Sequence, residues 1–156
     1  MKLNYHTQLI NQVNALSTRN YYHIQNEDRV DLKNFKFAYF EDNNDEVLKI
    51  LPKDDINVPS NWQMLGYDNH QYTNNRYPFP LDPPFIDKKN PCGVYVINYK
   101  NDRPNKSHFL NIDGADSCVY VYVNNEFVGY STVSHCNVEF ALNKYLKIGD
   151  NEIRLI

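Results

Sequence analysis

The chain is short of glycine, of cysteine and of long apolar runs, and each shortage removes a class of function. Five glycines in 156 residues leave neither a Gly-rich phosphate loop nor a nucleophile elbow. The three cysteines, Cys92, Cys118 and Cys136, are widely spaced. An odd count without close pairs is neither a disulfide framework nor a zinc site, so buried free thiols are expected. The five histidines show no metal-ligand spacing. No apolar run approaches the roughly 18 residues of a membrane-crossing helix, and no apolar signal core follows the first lysine. A cytoplasmic protein with no membrane partner is expected. An excess of basic charge is missing too. The net charge is −3 and the pI about 5.9, which gives no electrostatic case for nucleic acid.

What is plentiful is aromatic: 13 tyrosines and 8 phenylalanines. A Tyr-rich, Gly-poor chain with recurring Val and Ile favours strands, and its length suits one domain with a proper core. Residues 31–40 alternate at Phe35, Phe37 and Tyr39. Residues 56–59, 94–99, 108–114, 118–123, 126–130 and 138–142 read as further strands, and a last one starts at Glu152. Asn124-Asn125 marks a tight hairpin turn. Residues 143–151 suggest a short helical turn followed by a Gly-Asp-Asn turn. Residues 1–30 form a polar, partly ordered arm, in which Leu9, Val13 and Leu16 predict a short amphipathic helix over 7–17. Seven or more short strands argue an all-β sandwich.

The unusual stretch is 58–84. It holds the only tryptophan, Trp62, together with Tyr67, Tyr72, Tyr77 and five of the eight prolines. A long aromatic loop costs conformational entropy unless it is packed, so such loops are anchored or functional. The side chains suit a sugar: aromatic rings match pyranose C–H faces, and Asn and Gln offer donor and acceptor together. Trp62 fits either a sugar-stacking platform or a core plug. Asn74 fits either a sugar contact or a turn residue bonded to its own backbone. The adjacent carboxylates Glu41-Asp42 and Asp54-Asp55 diverge, which suits solvated surface better than acid–base work.

The run Val58-Pro59-Ser60-Asn61-Trp62-Gln63-Met64 with Gly66-Tyr67-Asp68 is followed by Tyr72-Thr73-Asn74, Tyr77-Pro78, Pro83-Pro84-Phe85 and Asn90-Pro91 with Gly93. In order and spacing it resembles the N-terminal sugar-binding domain of the bacterial β-galactosidases of glycoside hydrolase family 2. The resemblance implies a jelly-roll domain over 31–156, incomplete at its C-terminal edge, where an open strand would invite pairing. It implies that Asn74 contacts galactose. Asn75, standing where an apolar residue is common, is a weaker substrate-binding candidate, and Trp62 a third. The family's catalytic glutamates lie on a later barrel, so no catalytic residue, metal ligand or cofactor is expected in this chain, and no hydrolase activity from it alone. The whole enzyme would hydrolyse terminal β-D-galactosides such as lactose with retention. Mg and Na ions belong to that full-length enzyme, and the partners would be the galactoside, the remaining domains and other subunits. Asp113-Gly114, Ser117, Asn124, Gly129 and Tyr130 match a second family block of structural positions. A purely structural domain of a related family 2 glycosidase, or a stand-alone carbohydrate-binding module, remain the alternatives.

Overall fold

A computed structural model describes residues 11–17, 28–43, 45–70 and 90–156. Asn74 and Asn75 lie outside the described residues. Among the described residues nine strands follow in chain order: β1 (Gln12–Val13), β2 (Asn34–Phe40), β3 (Asp54–Asn57), β4 (Cys92–Asn101), β5 (Phe109–Ile112), β6 (Val119–Val123), β7 (Glu126–Ser131), β8 (Val138–Ala141) and β9 (Gly149–Leu155). Seven form one antiparallel sheet in the order β1-β7-β6-β9-β4-β2-β3, and β5 pairs with β8 in a second. The β-sandwich expected from the aromatic and β-branched alternation is therefore present.

Side-chain alternation decides what each layer buries. Val119, Val121 and Val123 of β6 point inward with Val128, Ile153, Val138, Phe140 and Leu142, with Leu110 and Ile112 of β5 packed against them. That cluster is the core between the two sheets. Tyr120 and Tyr122 point the other way and join Tyr130 on the outer face. All five residues of β6 are buried, so the central hairpin is covered on both sides. On the outer face, the buried Arg154 of β9 donates to the carbonyls of Val47 and Ile50 at 3.3 and 2.9 Å and pairs with Glu152. It ties the 3-10 turn Asp45–Leu48 to the sheet.

The β6–β7 hairpin turns through Asn124 and Asn125 at φ 51° and 67°, the left-handed pair that a two-residue type I′ turn requires. Asn124 also works through its side chain. Its Nδ2 donates to the Tyr145 carbonyl at 2.9 Å and to Asn151 Oδ1 at 2.8 Å, and its Oδ1 accepts from the Glu152 amide at 3.2 Å. Buried Asn151 donates to the Lys147 and Gly149 carbonyls and accepts from the Lys147 amide. Asn151→Ala would remove four part-buried hydrogen bonds at once, each worth about 0.5–1.5 kcal/mol net. A loss of roughly 3 kcal/mol is expected in denaturant unfolding, whereas Asn125→Gly, at an exposed turn position that favours positive φ, should be neutral or stabilising.

Three expectations need correction. The described part of 7–17 is not helical. Gln12 and Val13 pair with Ser131 and Tyr130, Leu16 donates to the Glu139 carbonyl, and Ala15 packs against the inner core. The four-and-three spacing of Leu9, Val13 and Leu16 imitates a helix, but tertiary pairing along two sheet edges wins. A bulge in β7 leaves Val128 as an extra residue, and Asn14 Nδ2 donates to its carbonyl at 2.8 Å. Second, β9, which lies between β4 and β6, starts at Gly149, not Glu152, so Asp150 and Asn151 belong to the ladder. The 143–146 segment is a single hydrogen-bonded turn, with Tyr145 and Leu146 both donating to Leu142. Third, the thiols differ. Cys92 is buried and Cys118 half-buried, but Cys136 is exposed.

Candidate functional site

The described part of the singular stretch is 58–70, and it is built on β2, β3 and β4. Phe37, 1% exposed, is the centre of an aromatic nest. Tyr95 lies 4.8 Å from it, Tyr67 4.9 Å and Trp62 6.2 Å, between ring centroids. Tyr39, two residues along the same strand, meets Trp62 edge-on at 5.9 Å. Such pairs add about 0.5–1.5 kcal/mol each beyond the area they bury, so the loop is fastened by rings where regular backbone pairing is absent.

Trp62 opens the 3-10 turn Trp62–Leu65, which Gly66 closes at φ 89°. Its six-membered ring lies over Gly93 of β4 so closely that a Cβ there would stand 2.6 Å from Trp62 Cζ3 and 2.7 Å from Phe37 Cε2. The indole Nε1 is buried and has no hydrogen-bond partner among the described residues. The ring therefore packs downward onto the sheet, as a plug would. The same turn carries Met64 and Leu65 outward, 71% and 52% exposed.

The turn's far end is held by polar bonds. The Tyr67 hydroxyl donates to Asp54 Oδ2 at 2.8 Å, and Asp68, at φ 67°, accepts from the Asn69 amide at 2.7 Å. The hydrogen bond to Asp54, more than the burial of the ring, pushes the Tyr67 phenol above its ordinary range. Burial first, then the Asp68 and Glu41 carboxylates, does the same to Tyr39. Beneath them, burial alone pushes Tyr95 up to about 12. Burial, aided by Asp42 and Cys118, takes the Cys92 thiol to about 12, so that thiol stays protonated and inert. Asp55 pairs with Lys36 at 2.7 Å. The Asp54-Asp55 carboxylates are thus occupied by structural partners. Among the described residues no group of His, Cys, Asp and Glu could hold a metal ion, and no helix is long and apolar enough to cross a membrane.

Of the three substrate-binding candidates, only Trp62 falls within the described residues. What reasoning from the residues missed is the support beneath it. Gly93 and the Tyr67–Asp54 bond connect positions far apart in the chain. Gly93 stands in the sequence motif with Asn90-Pro91, but nothing in the sequence alone pairs it with Trp62.

The profile described as "Glycosyl hydrolases family 2, sugar binding domain" matches residues 32–156. The chain belongs to that family. It is similar to the β-galactosidase of Actinobacillus pleuropneumoniae, 45% identical over 77% of this chain and 12% of that protein. It is also similar to the β-galactosidase of Staphylococcus xylosus, 40% identical over 76% of this chain and 12% of that protein. The chain thus spans about an eighth of the length of these curated relatives. Among solved structures, the family 2 domain resembles a Faecalibacterium prausnitzii β-glucuronidase, with TM-score 0.58 and 17% identity over 86% of this chain and 22% of that one. A Ruminococcus gnavus β-glucuronidase in complex with D-glucaro 1,5-lactone gives TM-score 0.58 and 18% identity over the same shares. At such identity these likenesses establish the fold alone.

Proposed function

We propose that this chain is the non-catalytic sugar-binding domain of a β-galactosidase, cytoplasmic, that hydrolyses terminal β-D-galactosides such as lactose. The observation that carries the reading is the 40–45% identity to β-galactosidases across three quarters of the chain, against 17–18% to the β-glucuronidases that share its fold. On this reading this domain shapes one wall of the pocket, with Asn74 as the sugar contact and Asn75 and Trp62 as weaker candidates. Retaining hydrolysis needs an acid/base and a nucleophilic carboxyl about 5–5.5 Å apart. Both come from other domains of the longer protein, as do the ligands of any Mg or Na ion. The exposed Met64 and Leu65 suit contact with those domains. The domain boundary falls near residue 31, with 1–30 as an arm.

The test is hydrolysis of paired β-D-galactosides and β-D-glucuronides by the longer protein that carries this domain. Galactoside turnover is expected, weakened about tenfold or more in kcat/KM by Asn74→Ala if a substrate hydroxyl loses its partner, with none from the 156-residue chain alone. Preference for the glucuronide, or turnover by the isolated chain, contradicts the reading.

A further inference from the structure

We propose that residues 11–16 are a seal over two neighbouring sheet edges, and that the β7 edge beneath it docks a second copy of this chain when the seal is off. The Asn11 carbonyl accepts from the Thr132 amide at 2.9 Å and from its hydroxyl at 3.2 Å. Gln12 and Val13 then run along β7, opposite Ser131 and Tyr130. Asn14 follows at φ 57°, and its Nδ2 donates to the carbonyl of the bulged Val128 at 2.8 Å. This left-handed residue takes the chain off one sheet and onto the other, where the Leu16 amide donates to the Glu139 carbonyl of β8 at 2.9 Å. The side chains record the crossing. Val13 joins Tyr120, Tyr122 and Tyr130 on the outer face, while Ala15 packs against the core between the sheets. Asn14 is the pivot between them.

The strand beneath the seal suits pairing with its own kind. Among the described residues β7 has β6 on one side and only β1 on the other. Residues 127–133 carry no charge and no proline, and aromatic and β-branched side chains dominate them. That is the composition of a segment that pairs with copies of itself. Sheet edges are ordinarily blunted by charge, by proline, by a bulge or by cover. Here the bulge at Val128 interrupts the ladder near its start and leaves 129–131 in regular register with β6, so cover is the remaining guard. With the seal lifted, the edge offers backbone groups and uncharged side chains, which match a second β7 better than an acidic or basic partner.

The experiment compares the 156-residue chain with Asn14→Pro, Asn14→Gly and the double variant Asn14→Pro with Val133→Lys, by amide hydrogen exchange and by light scattering over a range of concentrations. Proline cannot adopt the φ of 57° found at Asn14, so Asn14→Pro lifts the segment without altering β7 or β8. Exchange of the Thr132 amide should speed up about tenfold or more, the scale of one or two net hydrogen bonds. The mass by scattering should rise with concentration beyond that of the unsubstituted chain. Asn14→Gly keeps the left-handed conformation and should stay close to the unsubstituted chain in both readouts. Val133 is exposed beside the edge, and a lysine there puts charge on the pairing surface. The double variant should return to the unsubstituted mass while Thr132 still exchanges fast. Should Asn14→Pro fail to fold, Asn14→Ala strains the same φ less and gives both readouts with smaller shifts. A variant with fast Thr132 exchange and no added association overturns the docking claim, as does association that Val133→Lys leaves intact. Slow Thr132 exchange in Asn14→Pro overturns the seal itself.

Discussion

Gly93→Ala is expected to destabilise the chain by about 3 kcal/mol, lowering its melting temperature by roughly 6–12 °C at this size. The added methyl would meet Trp62 Cζ3 at 2.6 Å and Phe37 Cε2 at 2.7 Å, far inside van der Waals contact. Backbone conformation does not require glycine there, since Gly93 is not among the residues with positive φ. The space is what requires it. Phe37 is 1% exposed and cannot yield, so Trp62 must lift, taking the 3-10 turn with it. Because the steric conflict is with one ring, a smaller ring should relieve part of it. The pair Gly93→Ala with Trp62→Phe should be less destabilised than the sum of the two single changes. Strict additivity in that cycle, or a melting temperature within 2 °C of the unsubstituted chain for Gly93→Ala, would contradict the packing described.

Gly129→Ala should cost more, about 4 kcal/mol or roughly 8–16 °C. Its Cβ would stand 2.5 and 2.6 Å from the Phe140 ring and 2.6 Å from the Val13 carbonyl oxygen. Phe140 is fully buried in the core between the sheets, and the Val13 oxygen belongs to backbone paired with β7. Neither obstacle is the far end of a flexible side chain. Relief requires β1 to detach, which would free the Gln12 and Val13 ladder and the bond from Asn14 to Val128. Hydrogen exchange of the Thr132 amide, which donates to Asn11, should therefore rise sharply in Gly129→Ala and stay slow in Gly93→Ala. Equal protection of Thr132 in both variants would show that β1 is not what Gly129 accommodates.

The two glycines also show where the sequence is legible and where it is not. Period-two alternation exposes β2 through Phe35 and Phe37, and β6 through three valines facing one way and two tyrosines the other, because a half-buried pleat imposes that pattern directly. Asn124-Asn125 announces its turn because few residues tolerate two left-handed conformations in succession. These signals are local. β1 has none: two residues form a strand only because the β7 edge is beside them, and their spacing mimics a helix. Asn151 reads as part of a turn and Arg154 as a strand residue until the segments at 47–50 and 145–149 fold over them. Trp62 on Gly93 is likewise a long-range fit, readable as a plug or a platform until the strand beneath it is in place. The proposed sugar contact rests on Asn74, whose Tyr-Thr-Asn motif is recognisable in the sequence although the residue lies outside the described residues.

The most direct test of the account is a galactose titration of the 156-residue chain followed by amide and indole chemical shifts, with glucose as control. The account predicts shifts that saturate, favour galactose over its epimer, and centre on Asn74, with a smaller response at Trp62. No response at high galactose concentration, or equal shifts with glucose spread over the surface, would contradict the claim that this domain itself carries part of the sugar site.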